Sequence, residues 1–567
     1  MEHVQGNALT GAEAMVRMLQ AHGVKHIFGL CGDTSLPFYD ALSRLDHGMQ
    51  HILTRDERCA SYMADAYARV TGRVGVCEGP SGGGATYILP GVVEANDSSI
   101  ALLSITTDVS VTALGRYPLT ELDQTALFRP LTKYNGVIDH ADRLPGMVRA
   151  AFRATTTGRP GAAHLGLPLD VQRAPVDAGD IWAQPDFREF PAWPGGPAPK
   201  AIEAAANAIV GAGNPVIVCG GGVVLAGAEA ALQAIAERLN IVVATTVSGQ
   251  GSLADNHANN LGVVGSNGGV PATRSIVDAA DLVVFVGCRA GSVTTERWRT
   301  PARGVKVVHI DSDPMVISAN YRTDVAVVSD VRLALEALNV AFEAMGTDTV
   351  DFGGAERVSA ALKIKFAAFD ELAASNETPI RPERVIAELN RVLPTDAVIV
   401  ADPGTPCPYF SAFYKTPHAG RYFISNRAHG ALGYALPAAV GARIGRPDSK
   451  VVAAMGDGSF GFSVGELETV TRLKLPITFI VFSNSVYGWI KAGQKTSFEE
   501  RYYSVDFNRT DHAAVAESFG VKSWRVEDPA DLGQALKLAV DHDGPTLVDV
   551  ISQPLQDAKA PVSEWIA

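Results

Sequence analysis

The sequence lacks three features that mark particular classes of protein. Basic residues are in the minority, with 48 Lys and Arg against 61 Asp and Glu and a formal net charge of −13. This balance argues against nucleic-acid binding, because phosphate neutralisation needs clustered positive charge. The six cysteines are scattered without a CxxC pair, so neither a zinc site nor a disulfide framework is indicated. No apolar run reaches the roughly 20 residues of a membrane span.

The start of the chain also lacks the marks of an export signal. Residues 1–6 have neither a basic start nor an apolar core after it. Together with the scattered cysteines, this predicts a protein of the reducing cytoplasm. We expect it to act on small molecules, away from membranes and nucleic acids.

What the chain does contain is a repeated alternation of helical patterns with short apolar runs. Such alternation is typical of βαβ units and parallel sheets. With 567 residues the chain is too long for one hydrophobic core, and Pro-rich or irregular stretches divide it. We therefore predict an α/β fold of three doubly wound parallel-sheet domains at residues 1–176, 201–345 and 379–567, joined by linkers at 177–200 and 346–378.

The expected elements can be placed along the chain. Helical patterns cover residues 12–22, 60–71 and 464–473. The predicted strands lie at residues 26–30, 74–78, 100–106, 215–219, 241–245, 282–286, 305–310, 397–401, 450–455, 478–482 and 546–551. The last four of these strands would build the third sheet.

A candidate site for a metal ion and phosphates follows two strands of the third sheet. Strand 450–455 runs into Gly456-Asp457-Gly458-Ser459, and the next strand, 478–482, runs into Ser483-Asn484. Carboxyl ends of neighbouring parallel strands form ligand crevices. Glycines allow backbone N–H groups to approach phosphate oxygens, and Asp and Asn oxygens suit Mg²⁺. The alternative is an ordinary Gly-rich turn.

This pattern resembles the thiamine diphosphate-dependent enzymes, whose Gly-Asp-Gly motif is followed by Asn about as far downstream as Asn484 lies here. The resemblance names the three domains pyrimidine-binding, central and diphosphate-binding. It implies Mg²⁺ held by Asp457, Asn484 and the backbone of Val486. It also implies that the cofactor is bound by Glu57, Gly404, Thr405, Leu432, Gly456, Gly458, Ser459, Asn484, Val486, Tyr487 and Gly488.

A second segment carries the same resemblance. Residues 54–72 are similar to the family's HExxAxxMAxGYARxTG pattern, with Asp56 in place of the usual His and Ala66 in place of Gly. Glu57 then matches the glutamate that hydrogen-bonds the cofactor's aminopyrimidine and promotes loss of the thiazolium C2 proton. Such a carboxyl should be poorly solvated, with a raised pKa. The alternative is a solvated carboxylate at a helix N-terminus.

The layout is most similar to acetolactate synthase-like enzymes, including the segments at residues 129–133 and 158–161. The resemblance implies decarboxylation of a 2-oxo acid and transfer of the remaining fragment. It also implies an active site between two subunits, hence a homodimer at minimum and a homotetramer as the usual form. Leu432 inherits the role of the apolar wedge that bends the cofactor. Thr120 stands where the family carries glutamine, which leaves the substrate open.

Several further assignments remain alternatives. Asp33 follows a strand and resembles a proton-handling aspartate of pyruvate decarboxylase, although Asp is also a common helix N-cap. His429 is either a proton-transfer residue or a structural histidine. Residues 460–463 and 466–469 resemble 2-hydroxyacyl-CoA lyase and oxalyl-CoA decarboxylase. A catalytically silent binding homologue is a third interpretation. Glycines at residues 220–222 and 287–291 would bind FAD or ADP, or form tight turns.

Overall fold

The computed structural model describes residues 8–565; residues 1–6, considered above for an export signal, lie outside this range. No helix of the described chain is long and apolar enough to cross a membrane. The strands are β1 Ala8–Thr10, β2 His26–Gly29, β3 Gln50–Leu53, β4 Gly75–Gly79, β5 Leu102–Asp108, β6 Tyr134–Val137, β7 Ala162–Pro168, β8 Pro175–Asp177, β9 Pro215–Cys219, β10 Val242–Thr245, β11 Asn260–Val263, β12 Leu282–Val286, β13 Lys306–Asp311, β14 Val325–Val328, β15 Val398–Ala401, β16 Phe423–Ile424, β17 Val451–Gly456, β18 Ile477–Ser483, β19 Lys522–Val526 and β20 Thr546–Ile551.

The helices alternate with these strands. They are α1 Gly11–Ala21, α2 Leu36–Arg44, α3 Glu57–Thr71, α4 Gly83–Tyr87, α5 Leu89–Asp97, α6 Gln124–Phe128, α7 Leu144–Thr156, α8 Leu169–Arg173, α9 Pro199–Val210, α10 Gly221–Ala226, α11 Glu229–Leu239, α12 Pro271–Asp278, α13 Val331–Ala344, α14 Gly354–Ala373, α15 Pro382–Val392, α16 Pro406–Phe413, α17 Ala435–Gly445, α18 Asp457–Ser463, α19 Leu467–Arg472, α20 Gly488–Ser497, α21 His512–Ser518 and α22 Pro529–Asp541.

Three six-stranded sheets organise these elements. Their strand orders are β3-β2-β4-β5-β7-β6, β11-β10-β9-β12-β13-β14 and β16-β15-β17-β18-β20-β19. Neighbouring strands in each sheet are parallel, while β1 and β8 form a separate antiparallel pair. The predicted α/β class with three parallel sheets is confirmed. In each sheet the chain reverses its direction of growth, which places loops from adjacent strand ends side by side.

The described residues form two compact units. The first comprises residues 8–193 and 428–447, and the second residues 194–427 and 448–565. The first unit therefore holds the first sheet together with helix α17, which comes from a distant part of the sequence. The second unit holds the other two sheets.

The structure contradicts the prediction of an irregular stretch for one of the two linkers. Residues 346–378 were expected to be irregular, yet α14 occupies Gly354–Ala373, 20 residues of this stretch. Its buried positions Val358, Ala361, Lys365 and Phe369 recur at helical spacing. Lys365 is buried in this stripe, so a charged residue lies where the pattern needs an apolar one. The charge of Lys365 therefore hides the helical spacing of the apolar residues in the sequence.

Helix α3 is the most deeply buried helix segment around the first sheet. The Asp56 side chain caps it by accepting a hydrogen bond from the Arg58 N–H at 2.8 Å, and Gly72 ends it with φ +73°. Twelve of its residues are buried, because it packs between the sheet, α5 and α17. Close approach of α17 is possible because Gly441 has no side chain.

Replacing Gly441 by Ala should weaken this packing. A Cβ atom at residue 441 would lie 2.0 Å from the Met63 carbonyl oxygen, and relieving that overlap requires α3 and α17 to move apart. We expect the free energy of unfolding to fall by about 1–3 kcal/mol, as for other overpacked cores. Denaturant titration measures it. Gly83→Ala is the control, since its Cβ meets nothing within 4 Å; equal losses in both variants would contradict the close-contact explanation.

Candidate active site

Glu57 lies at the first position of α3, with only 7% of its surface exposed. Two glycines leave room for its carboxyl group. A Cβ at Gly79, the end of β4, would lie 3.2 Å from Glu57 Cγ, and one at Gly84 would lie 3.1 Å from Glu57 Oε1. Burial raises the pKa of Glu57, and the nearby Asp56 charge adds to this effect. The structure therefore places Glu57 in the poorly solvated setting expected for a carboxyl that gives and takes protons.

The loops beside Glu57 hold Asp33 and Thr120. Asp33 is exposed in a 3₁₀ turn, Asp33–Ser35, directly after β2. The N-cap of this turn is Gly32, so the capping interpretation of Asp33 is wrong. Thr120 is exposed, and its hydroxyl lies 2.6 Å from Ser81 Oγ. Both residues thus face solvent at the carboxyl end of the first sheet.

His429 and Leu432 belong to a segment that a buried ion network holds in place. The His429 backbone N–H donates to Glu94 Oε2 at 2.7 Å. Arg69 binds Glu94 at 3.1 Å and Asp65 at 2.8 Å, and both carboxylates are buried. The His429 side chain is exposed and Leu432 half-buried. Sequence reasoning missed Glu94; a charged residue in the otherwise apolar stretch of α5 was its signal.

Replacing Arg69 by Met should be strongly destabilising. It leaves the Asp65 and Glu94 carboxylates buried without their guanidinium partner, and breaking such a buried pair costs about 3–5 kcal/mol of unfolding free energy. The midpoint of thermal or urea unfolding measures the loss. Arg332→Met, which removes an exposed pair with Glu336, should leave the midpoint in place. An unshifted midpoint in R69M would show that the network is not stabilising.

Asp457 joins two strand ends of the third sheet. It is the first residue after β17, and its Oδ2 accepts the backbone N–H groups of Asn484 (2.8 Å) and Ser485 (2.6 Å), which follow β18. Its Oδ1 accepts the N–H of Gly458 at 2.9 Å. Burial raises the pKa of Asp457, while the three backbone hydrogen bonds act in the opposite direction. The side chain is thus fixed at the point where β17 and β18 end.

The helix after this aspartate begins earlier than the predicted pattern at residues 464–473. Helix α18 starts at Asp457 itself, a 3₁₀ turn covers residues 464–466, and α19 follows. Asp at the first turn favours a helix start, which the glycines on either side concealed. Phe460 is buried, and buried Glu466 accepts a hydrogen bond from Thr469 at 2.7 Å. Of the side chains that resemble CoA-dependent enzymes, Phe460 and Glu466 therefore belong to the core, whereas Phe462 is exposed.

The residues after β18 present polar atoms at the same edge. Asn484 Nδ2 is buried without a hydrogen-bond partner among residues 8–565. Val486 is buried and pairs with Asp506 in an isolated bridge. The Tyr487 ring covers Gly458, where a Cβ would lie 2.8 Å from it. An amide that lacks an internal partner in this position suits a polar ligand.

A third strand end completes this edge of the sheet. Since β15 is the other neighbour of β17, its following loop lies beside Asp457. There, Asp402 accepts a hydrogen bond from the Ser459 hydroxyl. Thr405 is buried, whereas a Cβ at Gly404 or Gly456 would meet nothing within 4 Å. Open backbone at two strand ends leaves space for a bound group.

The donor set fits Mg²⁺ with a diphosphate. Asp457 supplies a carboxylate, Asn484 an amide oxygen and Val486 a backbone carbonyl, all hard oxygen donors. Within the described range there is no cluster of three His, Cys, Asp or Glu side chains suited to a metal. Only one side chain of the predicted set belongs to those types, so phosphate oxygens and water would have to complete the coordination.

The glycines of the second sheet pack against one another. The Gly222 N–H donates to the Gly287 carbonyl at 3.1 Å, and a Cβ at Gly222 would lie 2.6 Å from Gly287 Cα. This contact joins the turns that follow β9 and β12. It accounts for the glycines without a nucleotide, and binding of FAD or ADP stays a prediction.

Comparison with known proteins adds an independent finding. Thiamine pyrophosphate enzyme models match along the chain: the N-terminal TPP binding domain at residues 9–127, the central domain at 202–338 and the C-terminal TPP binding domain at 402–550. Probable acetolactate synthase large subunits of Methanococcus aeolicus and Methanocaldococcus jannaschii are each 34% identical, covering 96% and 97% of this chain and 92% and 93% of theirs. The acetolactate synthase large subunit of Parasynechococcus marenigrum is 32% identical, covering 96% of this chain and 87% of its own.

Proposed function

The chain belongs to the thiamine pyrophosphate enzymes, among the acetolactate synthase-like members, and we propose that it decarboxylates a 2-oxo acid and transfers the remaining fragment to a carbonyl acceptor. Cleavage and formation of C–C bonds are the chemistry of this family. The observation that carries the proposal is buried Glu57 with its raised pKa, held at the end of β4 between two glycines. Acetolactate is the product named for the relatives and is one candidate here.

The polar edge of the third sheet supports the proposed cofactor site. We assign Mg²⁺ to Asp457, Asn484 and the Val486 carbonyl, and the diphosphate to the loops that contain Gly404, Thr405 and residues 456–459. When bound, thiamine diphosphate supplies an electron sink for the fragment that remains after CO₂ leaves. Tyr487 and Gly488 would border the site, and Leu432 would support the cofactor's shape.

The protein's own residues then divide the work. Glu57 holds a proton at the cofactor's pyrimidine ring, where its buried carboxyl is a stronger base than a solvated one. Asp33 and His429 are exposed side chains that are free to exchange protons with substrate or solvent. Intact Glu57, Asp457 and Asn484 argue against a catalytically silent homologue, because loss of activity would leave no need for all three.

The proposed assembly is a homodimer or larger. Glu57 of one subunit would serve the diphosphate site of its partner, and two dimers would form a homotetramer. The domain bounds at residues 1–176, 201–345 and 379–567 and a cytoplasmic location complete the proposal. Sedimentation at several protein concentrations, with and without cofactor, tests the assembly.

The reaction itself can be tested directly. Protein loaded with Mg²⁺ and thiamine diphosphate is incubated with a panel of 2-oxo acids, alone and with aldehyde or 2-oxo acid acceptors, while CO₂ and ligation products are followed. Release of CO₂ with a ligated product supports the proposal. CoA thioesters form a second panel, and their cleavage without turnover of any 2-oxo acid would refute it.

A further inference from the structure

A chain of hydroxyl groups runs through the first unit from its surface to a buried carboxyl. It starts at exposed Thr120, 2.6 Å from Ser81 Oγ, and Thr34 Oγ1 donates to that same Ser81 oxygen at 3.1 Å. Thr34 Oγ1 lies 2.8 Å from Thr107 Oγ1, which lies 3.1 Å from Ser35 Oγ. Five side chains thus form one continuous path, in which Thr34 and Ser35 are neighbours in the turn after β2 and the other three lie far apart in the chain.

The path ends at Glu78 in β4. Ser35 Oγ donates to Glu78 Oε1 at 2.6 Å, and the Tyr39 hydroxyl donates to Oε2 at 2.7 Å. Tyr39 in turn lies 2.9 Å from His51 Nε2. Glu78 is fully buried, and burial raises its pKa to about 7, with the Glu57 charge adding to the rise. A carboxyl with this setting can hold a proton near neutral pH.

The exposed end of the path lies beside the candidate active site. Thr120 packs on Gly82, where a Cβ would lie 2.8 Å from Thr120 Cβ, and Gly84 of the same loop contacts Glu57. One short loop therefore touches both the start of the hydroxyl chain and the proposed activating carboxyl.

We propose that Glu78 stores a proton for the reaction and exchanges it, through the five hydroxyl groups, with substrate at Thr120. This inference rests on the proposed function. A hydroxyl group both donates and accepts a hydrogen bond and rotates about its C–O bond, so each can receive one proton and pass on another. Glu78 acts through Ser35 and does not touch the substrate. It is therefore a positioning residue, which holds the proton at the buried end of the path.

The proton balance of the proposed reaction calls for such a store. A 2-oxo acid anion that loses CO₂ takes up one proton, whether the product is an aldehyde or a ligated 2-hydroxy acid. In delivery, the Ser35 hydroxyl turns its proton from Glu78 toward Thr107 and accepts the Glu78 proton, and each hydroxyl along the path passes one proton on. Thr120, whose hydroxyl otherwise donates to the Leu119 carbonyl, turns to give one proton to the substrate oxygen or carbon. Glu78 is left as a carboxylate, which solvent reprotonates along the same path after product leaves.

Other ionisable groups lie near Glu78, and their charges must be considered when its titration is measured. Their charges either act on Glu78 or respond to it. They are Glu57, Cys31, Cys77, Tyr39 and, through Tyr39, His51.

The path can be tested without turnover, on the full chain free of cofactor. The protonated Glu78 carboxyl gives an infrared carbonyl band, identified by its loss in Glu78→Gln, and transfer into D₂O shifts this band. Thr107→Val removes the central hydroxyl while keeping the shape, and should slow the shift by about tenfold or more. The control is Thr106→Val, on the same strand and equally buried but bonded to His164 and Gln124 instead. Equal exchange in T107V, T106V and wild type would overturn the proposal.

Turnover supplies the second readout. In the wild type and T106V, kcat should fall as pH rises through the Glu78 pKa, because the proton donor is lost. E78Q and T107V should lack that limb and have a kcat lowered by about 100-fold, the usual contribution of positioned proton transfer. An unchanged pH profile in E78Q would also overturn the proposal. If the wild type turns over no donor at all, the proposed function fails, while the infrared exchange still decides the hydroxyl path.

Discussion

Replacing Glu57 by Gln should lower kcat by about 10²–10⁴-fold, the range for removal of a positioned acid or base. The change keeps the size of the side chain and its place between Gly79 and Gly84, but removes the group that takes up and returns a proton. Affinity for thiamine diphosphate should change little, because the proposed diphosphate site lies in the loops that contain Gly404, Thr405 and residues 456–459. Steady-state CO₂ release and calorimetric titration of the cofactor measure the two quantities separately.

Asp56→Asn is the matched control for this experiment. It alters the neighbouring residue, keeps an N-cap side chain and removes a charge that raises the Glu57 pKa. This variant should retain most of the wild-type kcat, with the Glu57 pKa moved downward. Wild-type turnover in E57Q would remove Glu57 from the mechanism and with it the main support for the proposed function.

Replacing Asp457 by Asn should weaken thiamine diphosphate binding by about 100-fold or more, equivalent to about 2.7 kcal/mol. The carboxylate is the only anionic ligand in the proposed Mg²⁺ set, and a neutral amide binds Mg²⁺ poorly. In either orientation the N–H₂ group of the amide would face a backbone N–H group, that of Gly458 or those of Asn484 and Ser485. Calorimetric or fluorescence titration of cofactor in excess Mg²⁺ measures the loss. Activity should return in part at high cofactor concentration.

Removal of Mg²⁺ provides an internal comparison for Asp457. Chelator should reduce wild-type affinity to about the level of D457N and have little further effect on the variant. Asp506→Asn is the control, because Asp506 is exposed and pairs with Lys491 near the same loop. Equal Mg²⁺ dependence in D457N and wild type would show that the metal binds elsewhere.

Buried parallel strands were the most readable part of the fold. The predicted strands at residues 215–219, 282–286 and 546–551 coincide with β9, β12 and β20. Strands covered on both faces need continuous apolar runs, and the two ends of such a run mark the ends of the strand. Short edge strands such as β16 and β14 were missed, because they have too few buried positions to produce a run. Strand β7 was also missed although all seven of its residues are buried, because His164 and Gly166 interrupt its apolar run.

The candidate site residues also differ in how far a local sequence pattern reveals them. Positions carried by a local motif, such as Glu57 and Asp457, were predicted from the sequence, and the structure gives each a specific environment. The hydroxyl path was not found, since Thr34, Ser81 and Thr107 lie far apart in the chain and each is an ordinary residue by itself. Glu78 was visible as a carboxyl inside an apolar strand, but its partners depend on the fold.

Because helix α17 comes late in the sequence, the first unit can be completed only late in synthesis of the chain. The main part of the first unit ends at Trp193, yet the unit also needs the segment 428–447, so the whole stretch 194–427 is made in between. Until then the face of α3 that α17 covers has no packing partner. The first unit therefore remains a partly folded intermediate while residues 194–427 are made. A nascent chain that stops at Trp193 should therefore bind hydrophobic dyes and chaperones, and gain protease resistance only when the distant helix has emerged.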